Sequence, residues 1–248
     1  MRNPELSQAS ARLPRRLLLG VVAAVCFGAG HGCSRIPGLR EATVASYQPG
    51  NVHRADPSLP VELKRVAMLP VTTLTDEASM EFGRDALGPL LANELARARA
   101  FELVVVTPEQ LRGLTGRNTW TGEERLPLNF FETLKDRLGV DGVLFARLTQ
   151  YRPYEPLSIG WRVKLIEAEE PRVLWAVDEV FDARVPGVAA AARRYARAHP
   201  GAAGDVDGVL SSARQFGLYT ASALVSTLPP LGRPAQADKP RASSEHAP

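Results

Sequence analysis

The run RVAMLPV, residues 65–71, carries no polar residue after Arg65. A strand with one wet face alternates apolar and polar side chains. A strand covered on both faces reads as a continuous apolar run, as in a parallel sheet. RVAMLPV is therefore expected to be a strand covered on both faces. Thr75-Asp76 offers a helix cap after it, and Leu87, Leu90, Leu91 and Leu95 follow at helical spacing. FELVVV, residues 101–106, is a second strand. Thr107-Pro108-Glu109 is a cap with proline at the first helical position, which opens a short helix through Leu111 and Leu114. A further helix is expected from Asn129 to Leu138, ended by Gly139. Asp141 to Gln150 is the third strand.

The pattern then changes. Ile159, Trp161, Val163 and Leu165 alternate with Gly160, Arg162, Lys164 and Ile166, a mostly period-two strand with one wetter face. Glu169-Glu170-Pro171 is a turn, and Arg172 to Phe181 returns as its hairpin partner. An Ala-rich helix from Val188 to Ala198 and a longer one from Val206 to Leu228 close the domain. The small stripe of the last helix (Ala213, Gly217, Thr220, Ala223, Thr227) suits close packing within the domain. The fold class is α/β. A mixed sheet of roughly five strands is expected, parallel first and then an antiparallel hairpin, with helices packed on it and C-terminal helices.

The two ends have a different composition. Arg12, Arg15 and Arg16 precede Leu17 to Ala29, an uncharged stretch of 13 residues. As a helix it would span about 20 Å, short of the roughly 20 residues a bilayer core needs. A basic flank, a short apolar run and a small-residue exit describe a secretory signal. Gly30-His31-Gly32-Cys33 resembles the lipobox of bacterial lipoproteins, in which a small residue precedes a cysteine that is lipidated and becomes the mature N-terminus. Gly30 and His31 stand where that family has a leucine and a small residue. Cys26 follows Val25 and fits less well. The other reading is ordinary cleavage that leaves Cys33 free. The resulting organisation is a signal over 1–32, a tether over 33–62 with Pro37, Pro49, Pro57 and Pro60, an α/β domain over 63–228 and a Pro-, Ala- and Ser-rich tail over 229–248.

Removing the signal changes the charge. Of 30 bases and 27 acids, residues 1–32 hold Arg2, Arg12, Arg15, Arg16 and Glu5, which leaves 26 of each. A neutral mature chain lacks the electrostatic footprint of a nucleic-acid binder. Cys33 would then be without an intramolecular partner.

Leu69-Pro70, Phe101-Glu102-Leu103-Val104 and Leu138-Gly139-Val140-Asp141-Gly142-Val143-Leu144 carry a resemblance. Together they resemble the periplasmic α/β domain of the curli-secretion lipoprotein family. That domain is shared with the lipoprotein activator of bifunctional penicillin-binding proteins and the N-terminal domain of the Tol-system β-propeller protein. The resemblance covers roughly residues 64–182. It implies a periplasmic binding domain. It does not extend to a pore, since no pair of long alternating segments is present to line a barrel.

Sites for chemistry are sparse. His53, His199 and His246 fall in the tether, beside Pro200-Gly201 and in the tail, away from scaffold positions suited to a catalytic triad or a metal site. No phosphate-binding glycine loop is present, so no cofactor is expected. Glu167, Glu169, Glu170, Asp178, Glu179 and Asp182 gather around the hairpin, where paired carboxylates would suit glycan hydrolysis. Asp178 and Glu179 are adjacent and should point to opposite faces. Trp120, in GRNTWTGEER, is a candidate partner contact from a polar loop. Arg193, Arg194 and Arg197 would suit an anionic surface or a solvated helix face. The expectation is a non-enzymatic lipoprotein, anchored through Cys33 at the periplasmic face of the outer membrane and bound to an envelope protein. The alternative is a cell-wall hydrolase acting through the hairpin acids.

Overall fold

The computed structural model describes residues 47–203 and 206–232. The expected signal, Cys33 and His246 lie outside the described residues. The strands are β1 (Val52–Arg54), β2 (Arg65–Met68), β3 (Thr72–Thr73), β4 (Glu102–Val105), β5 (Gly142–Arg152), β6 (Ser158–Glu167) and β7 (Val173–Asp182). The helices are α1 (Ala78–Ala98), α2 (Pro108–Thr115), α3 (Phe130–Leu138), α4 (Pro186–Ala198) and α5 (Ala213–Val225), with a single helical turn at Pro200–Ala203 and a 3-10 turn at Gly208–Leu210. One mixed sheet runs in the order β1-β7-β6-β5-β2-β4, and β3 lies beside β5. The β2, β4 and β5 strands are parallel, while β5, β6 and β7 form an antiparallel meander.

RVAMLPV is buried on both faces. Val66 and Met68 join a core with α1, α4 and α5, while Ala67 and Leu69 join a second core with α2 and α3. Pro70 has no N–H to give a ladder, so the strand stops and resumes as β3 two residues later. Val143 and Phe145 of β5 lie under α2 and α3, whereas Arg147, on the same face, lies beyond that core and is part-exposed. The antiparallel half of this face is therefore wet, as the alternation in β6 requires.

Helix limits follow local chemistry. Thr107 and Gln110 form a reciprocal capping box on α2, and Gly139 ends α3 in the left-handed region at φ 63°. The cap expected at Thr75-Asp76 is displaced. The Leu74 amide still bonds to the Leu148 carbonyl at 3.0 Å, which keeps the chain in the sheet, and α1 starts after Glu77 without a side-chain cap. The expected continuous helix over Val206 to Leu228 is broken at Ser211-Ser212. Ser212 accepts from the Gln215 amide and starts α5 afresh.

The domain also extends past both expected limits. Tyr47 packs edge-on against Phe181, β1 pairs antiparallel with β7, and Leu59 is 2 % exposed. Leu59 and Gly232 exchange backbone contacts with residues of the opposite end of the domain: Leu59 N–H to Pro230 O and Gly232 N–H to Leu59 O, both 2.8 Å. The Pro- and Gly-rich composition of these segments hid them, because single side chains and main-chain bonds to distant residues hold them rather than a periodic apolar face. With these pieces and β3 the sheet has seven strands rather than five. Among the described residues no helix is long and apolar enough to cross a membrane.

The α5 helix packs inside the domain, as its small stripe suggests. A Cβ at Gly217 would stand 2.4 Å from Leu87 Cδ2, so α5 and α1 meet closely and a larger residue would have to push the Leu87 side chain aside. Thr220 accepts from the buried Trp161 indole at 3.3 Å, and Thr227 from that of Trp175 at 3.1 Å. Leu91, on the inner face of α1, is fully buried. Leu91→Ala should cost about 2–5 kcal/mol in denaturant unfolding. Thr220→Val, which strands the Trp161 donor, should cost roughly 1–3 kcal/mol, while Thr220→Ser should recover most of that loss.

Candidate functional site

Where β2 and β4 end, Pro70 turns the chain aside and α1 crosses above. A groove of about 700 Å³ remains, with Leu69, Pro70, Val71, Pro89 and Val105 as apolar lining and Asn93 and Asn118 as polar groups. Its position outside the carboxyl ends of parallel strands is where open α/β sheets bind ligands. Gly88 lets α1 approach the floor: a Cβ there would lie 3.3 Å from Val71. β4 is the last strand on this side of the sheet, and Val105 at its end is 58 % exposed. Arg84 donates to Asp85 at 2.8 Å, which holds the guanidinium in its charged form. The lining contains no histidine or cysteine and no second acid. Such a groove offers shape, apolar surface and amide groups, the means of recognition rather than of proton transfer.

Five of the six hairpin acids have partners within the fold. Glu167 pairs with Arg172 and Glu169 with Lys135. Asp178 pairs with Arg162 at 2.6 Å. Glu179, on the opposite face as expected, accepts from the Tyr47 hydroxyl at 2.8 Å and the Gly50 amide at 2.7 Å. Burial and the Glu179 carboxylate push the Tyr47 phenol well above its ordinary range. Asp182 accepts from Arg184 at 2.6 Å, and this hydrogen bond holds its carboxyl below the ordinary range, opposite to what a general acid needs. Buried Glu94 pairs with Arg97, and Arg193 and Arg194 are likewise engaged. His53 sits on β1 opposite Ala176, and His199 stacks on Tyr195. No group of three His, Cys, Asp or Glu able to hold a metal occurs among the described residues.

Trp120 faces inward. It is 7 % exposed, donates to Thr115 Oγ1 at 2.8 Å, meets Phe130 edge-on at 5.5 Å and carries the Arg117 guanidinium 4.0 Å above its ring. The indole therefore staples the 116–129 loop to the second core and presents no free face to a partner. The groove itself was missed by the sequence reading. Its signals are the two proline interruptions, Pro70 in a strand and Gly88-Pro89 inside a helix, which mark places where regular packing opens.

No protein-family profile matches the chain, and no curated protein matches it. Solved structures do. The PelC dodecamer from Paraburkholderia phytofirmans is 12 % identical and covers 73 % of this chain and 96 % of that one, with a TM-score of 0.44. Lipoprotein GNA1162 from Neisseria meningitidis is 15 % identical over 48 % of this chain and 79 % of that one, with a TM-score of 0.35. The LpoB C-terminal domain from Salmonella enterica is 13 % identical over 48 % and 82 %, with a TM-score of 0.33.

Trp120→Ala should destabilise the domain by about 3–5 kcal/mol, measured by denaturant unfolding. Asp182, whose folded carboxyl lies below its usual 3.8, contributes stability that is complete above about pH 4 and is lost as pH falls through the folded value. Asp182→Asn should accordingly lower the melting temperature at neutral pH and flatten its decline in acid.

Proposed function

We propose that the chain is a lipid-anchored lipoprotein of the cell envelope. Its domain acts as a non-catalytic module that docks an envelope protein in the groove at the carboxyl ends of β2 and β4. The observation that carries this reading is the groove: apolar, flanked by the open β4 edge, and holding one ion pair but no acid–base machinery. An extended segment laid along such an edge gains main-chain hydrogen bonds from the strand and side-chain contacts from the pocket. The anchor is assigned to Cys33 from its lipobox-like setting, and Ser34 after it resembles outer-membrane sorting, which gives the periplasmic face of the outer membrane as the location. Lipid acylation at this position holds stably when more than one chain is attached. The cation partners of Glu167, Glu169, Asp178 and Asp182 argue against the hydrolase alternative.

A photo-crosslinking residue at the exposed Asn93 position should trap a discrete envelope protein in native cells, and one at Glu170 on the hairpin turn should not. Val105→Arg should abolish the crosslinked product without changing the melting temperature. Equal trapping at both positions would place docking elsewhere. Cys33→Ser should move the protein out of the membrane fraction and remove acyl labelling. Purified protein should leave peptidoglycan intact, and Glu167→Gln and Asp178→Asn should make no difference; hydrolysis lost in those variants would restore the enzyme reading.

A further inference from the structure

The sheet face that α2 and α3 leave uncovered carries Arg147 on β5 beside Arg162 and Lys164 on β6. Arg147 and Arg162 stand directly opposite each other in the ladder. Like charges in that position repel, so the arrangement works against the stability of the sheet. Arg162 is matched by Asp178 at 2.6 Å. Arg147 and Lys164 share a single carboxylate, Glu123, at 3.5 and 3.8 Å. Both contacts are longer than charge-assisted hydrogen bonds of about 2.7–2.9 Å. Glu123 reaches this place from the loop stapled by Trp120, whose Gly122 carbonyl accepts from Lys164 at 2.6 Å. The Arg147 and Lys164 side chains remain 23 % and 24 % exposed. Beside them, Thr72 Oγ1 is buried without a hydrogen-bond partner and lines the same hollow as Arg147 and Lys164. A second hollow of about 280 Å³ continues from Arg162 towards His53 and Asn51.

We propose that Arg147, Arg162 and Lys164 form a carboxylate-binding site, that Glu123 occupies it loosely as an internal stand-in, and that an acidic side chain of a polypeptide partner displaces it. The stand-in sets the ligand class, because the cations are already arranged around a carboxylate. Arginine's planar fork matches that group with two parallel donors, which Glu123 does not engage at its present distance. The open sheet around the site, with Val180 43 % exposed on the same face as Asp178, suits a polypeptide laid across it. With Glu123 withdrawn, Arg147 and Lys164 lose the one carboxylate within 4 Å of each among the described residues. The exchange therefore replaces one ion pair by another and needs no rearrangement of the core. This site is separate from the groove, and its test does not depend on the groove's occupant.

The probe is an octaglutamate peptide, with octaglutamine as control, titrated into the purified protein at low salt. Octaglutamate should bind and octaglutamine should not. Glu123→Gln removes the internal competitor and should tighten octaglutamate about two- to fivefold, the range set by losing an exposed ion pair. Lys164→Gln and Arg147→Gln should each weaken binding in both backgrounds, with melting temperatures tracked to separate binding from folding. Lys164→Gln leaves the Arg147 bond to the Thr73 carbonyl in place, so it tests the site even if Arg147→Gln unfolds the sheet. Affinity unchanged by Glu123→Gln, or insensitive to Lys164→Gln, would overturn the proposal. So would full competition by millimolar inorganic phosphate, which would mean a general anion site.

Discussion

Two indole N–H groups sit inside a hydrophobic core, and each must find an acceptor there. Trp161 and Trp175 are fully buried, and a buried donor left alone costs about as much as several well-packed methyl groups contribute. Thr220 within α5 and Thr227 in the turn that follows it supply the acceptors. The pair of bonds fixes the register of α5 on the meander, which apolar packing alone would leave free to slide. α5 then fixes α1 through the close approach at Gly217. α1 is the wall of the groove. The shape of the groove at one end of the sheet thus depends on two hydroxyls placed in the middle of it.

The parts of the fold legible in the sequence were those encoded by neighbours in the chain. The doubly buried β2, the Thr107 capping box and the Gly139 terminus each follow from residues within a few positions of one another. The parts that were not legible depend on distant partners. β1 is three residues long and belongs to the sheet because β7 is there to pair with it. Leu59 looks like one apolar residue in a proline-rich linker until Leu231 and Pro230 close over it. β3 was hidden because it is only Thr72 and Thr73, two polar residues past Pro70 that belong to the sheet through β5.

The candidate sites show the same division. The alternation that sets Asp178 and Glu179 on opposite faces was readable, but their partners, Arg162 and Tyr47, were not. Trp120 in a polar loop suggested an exposed anchor; the aromatic neighbour that turns it inward, Phe130, lies in the next helix. Which of the alternating residues on β5 stays wet is decided by how far α2 and α3 reach. Phe145 and Arg147 are two positions apart on one strand face, yet one lies in a core and the other beyond it.

The way the chain enters the domain has a mechanical consequence. Tyr47 lies by Phe181, near the carboxyl end of β7, and the chain then runs down the sheet edge through β1 to the buried Leu59. Tension applied to the chain ahead of Tyr47 and directed along the strands would load the β1–β7 bonds side by side, in shear, instead of peeling them in sequence. The Tyr47–Glu179 bond lies first in line and would part first, while Leu59 acts as a stop seated in the core. Loaded in this direction, the β1 edge would resist more strongly than a three-residue strand suggests.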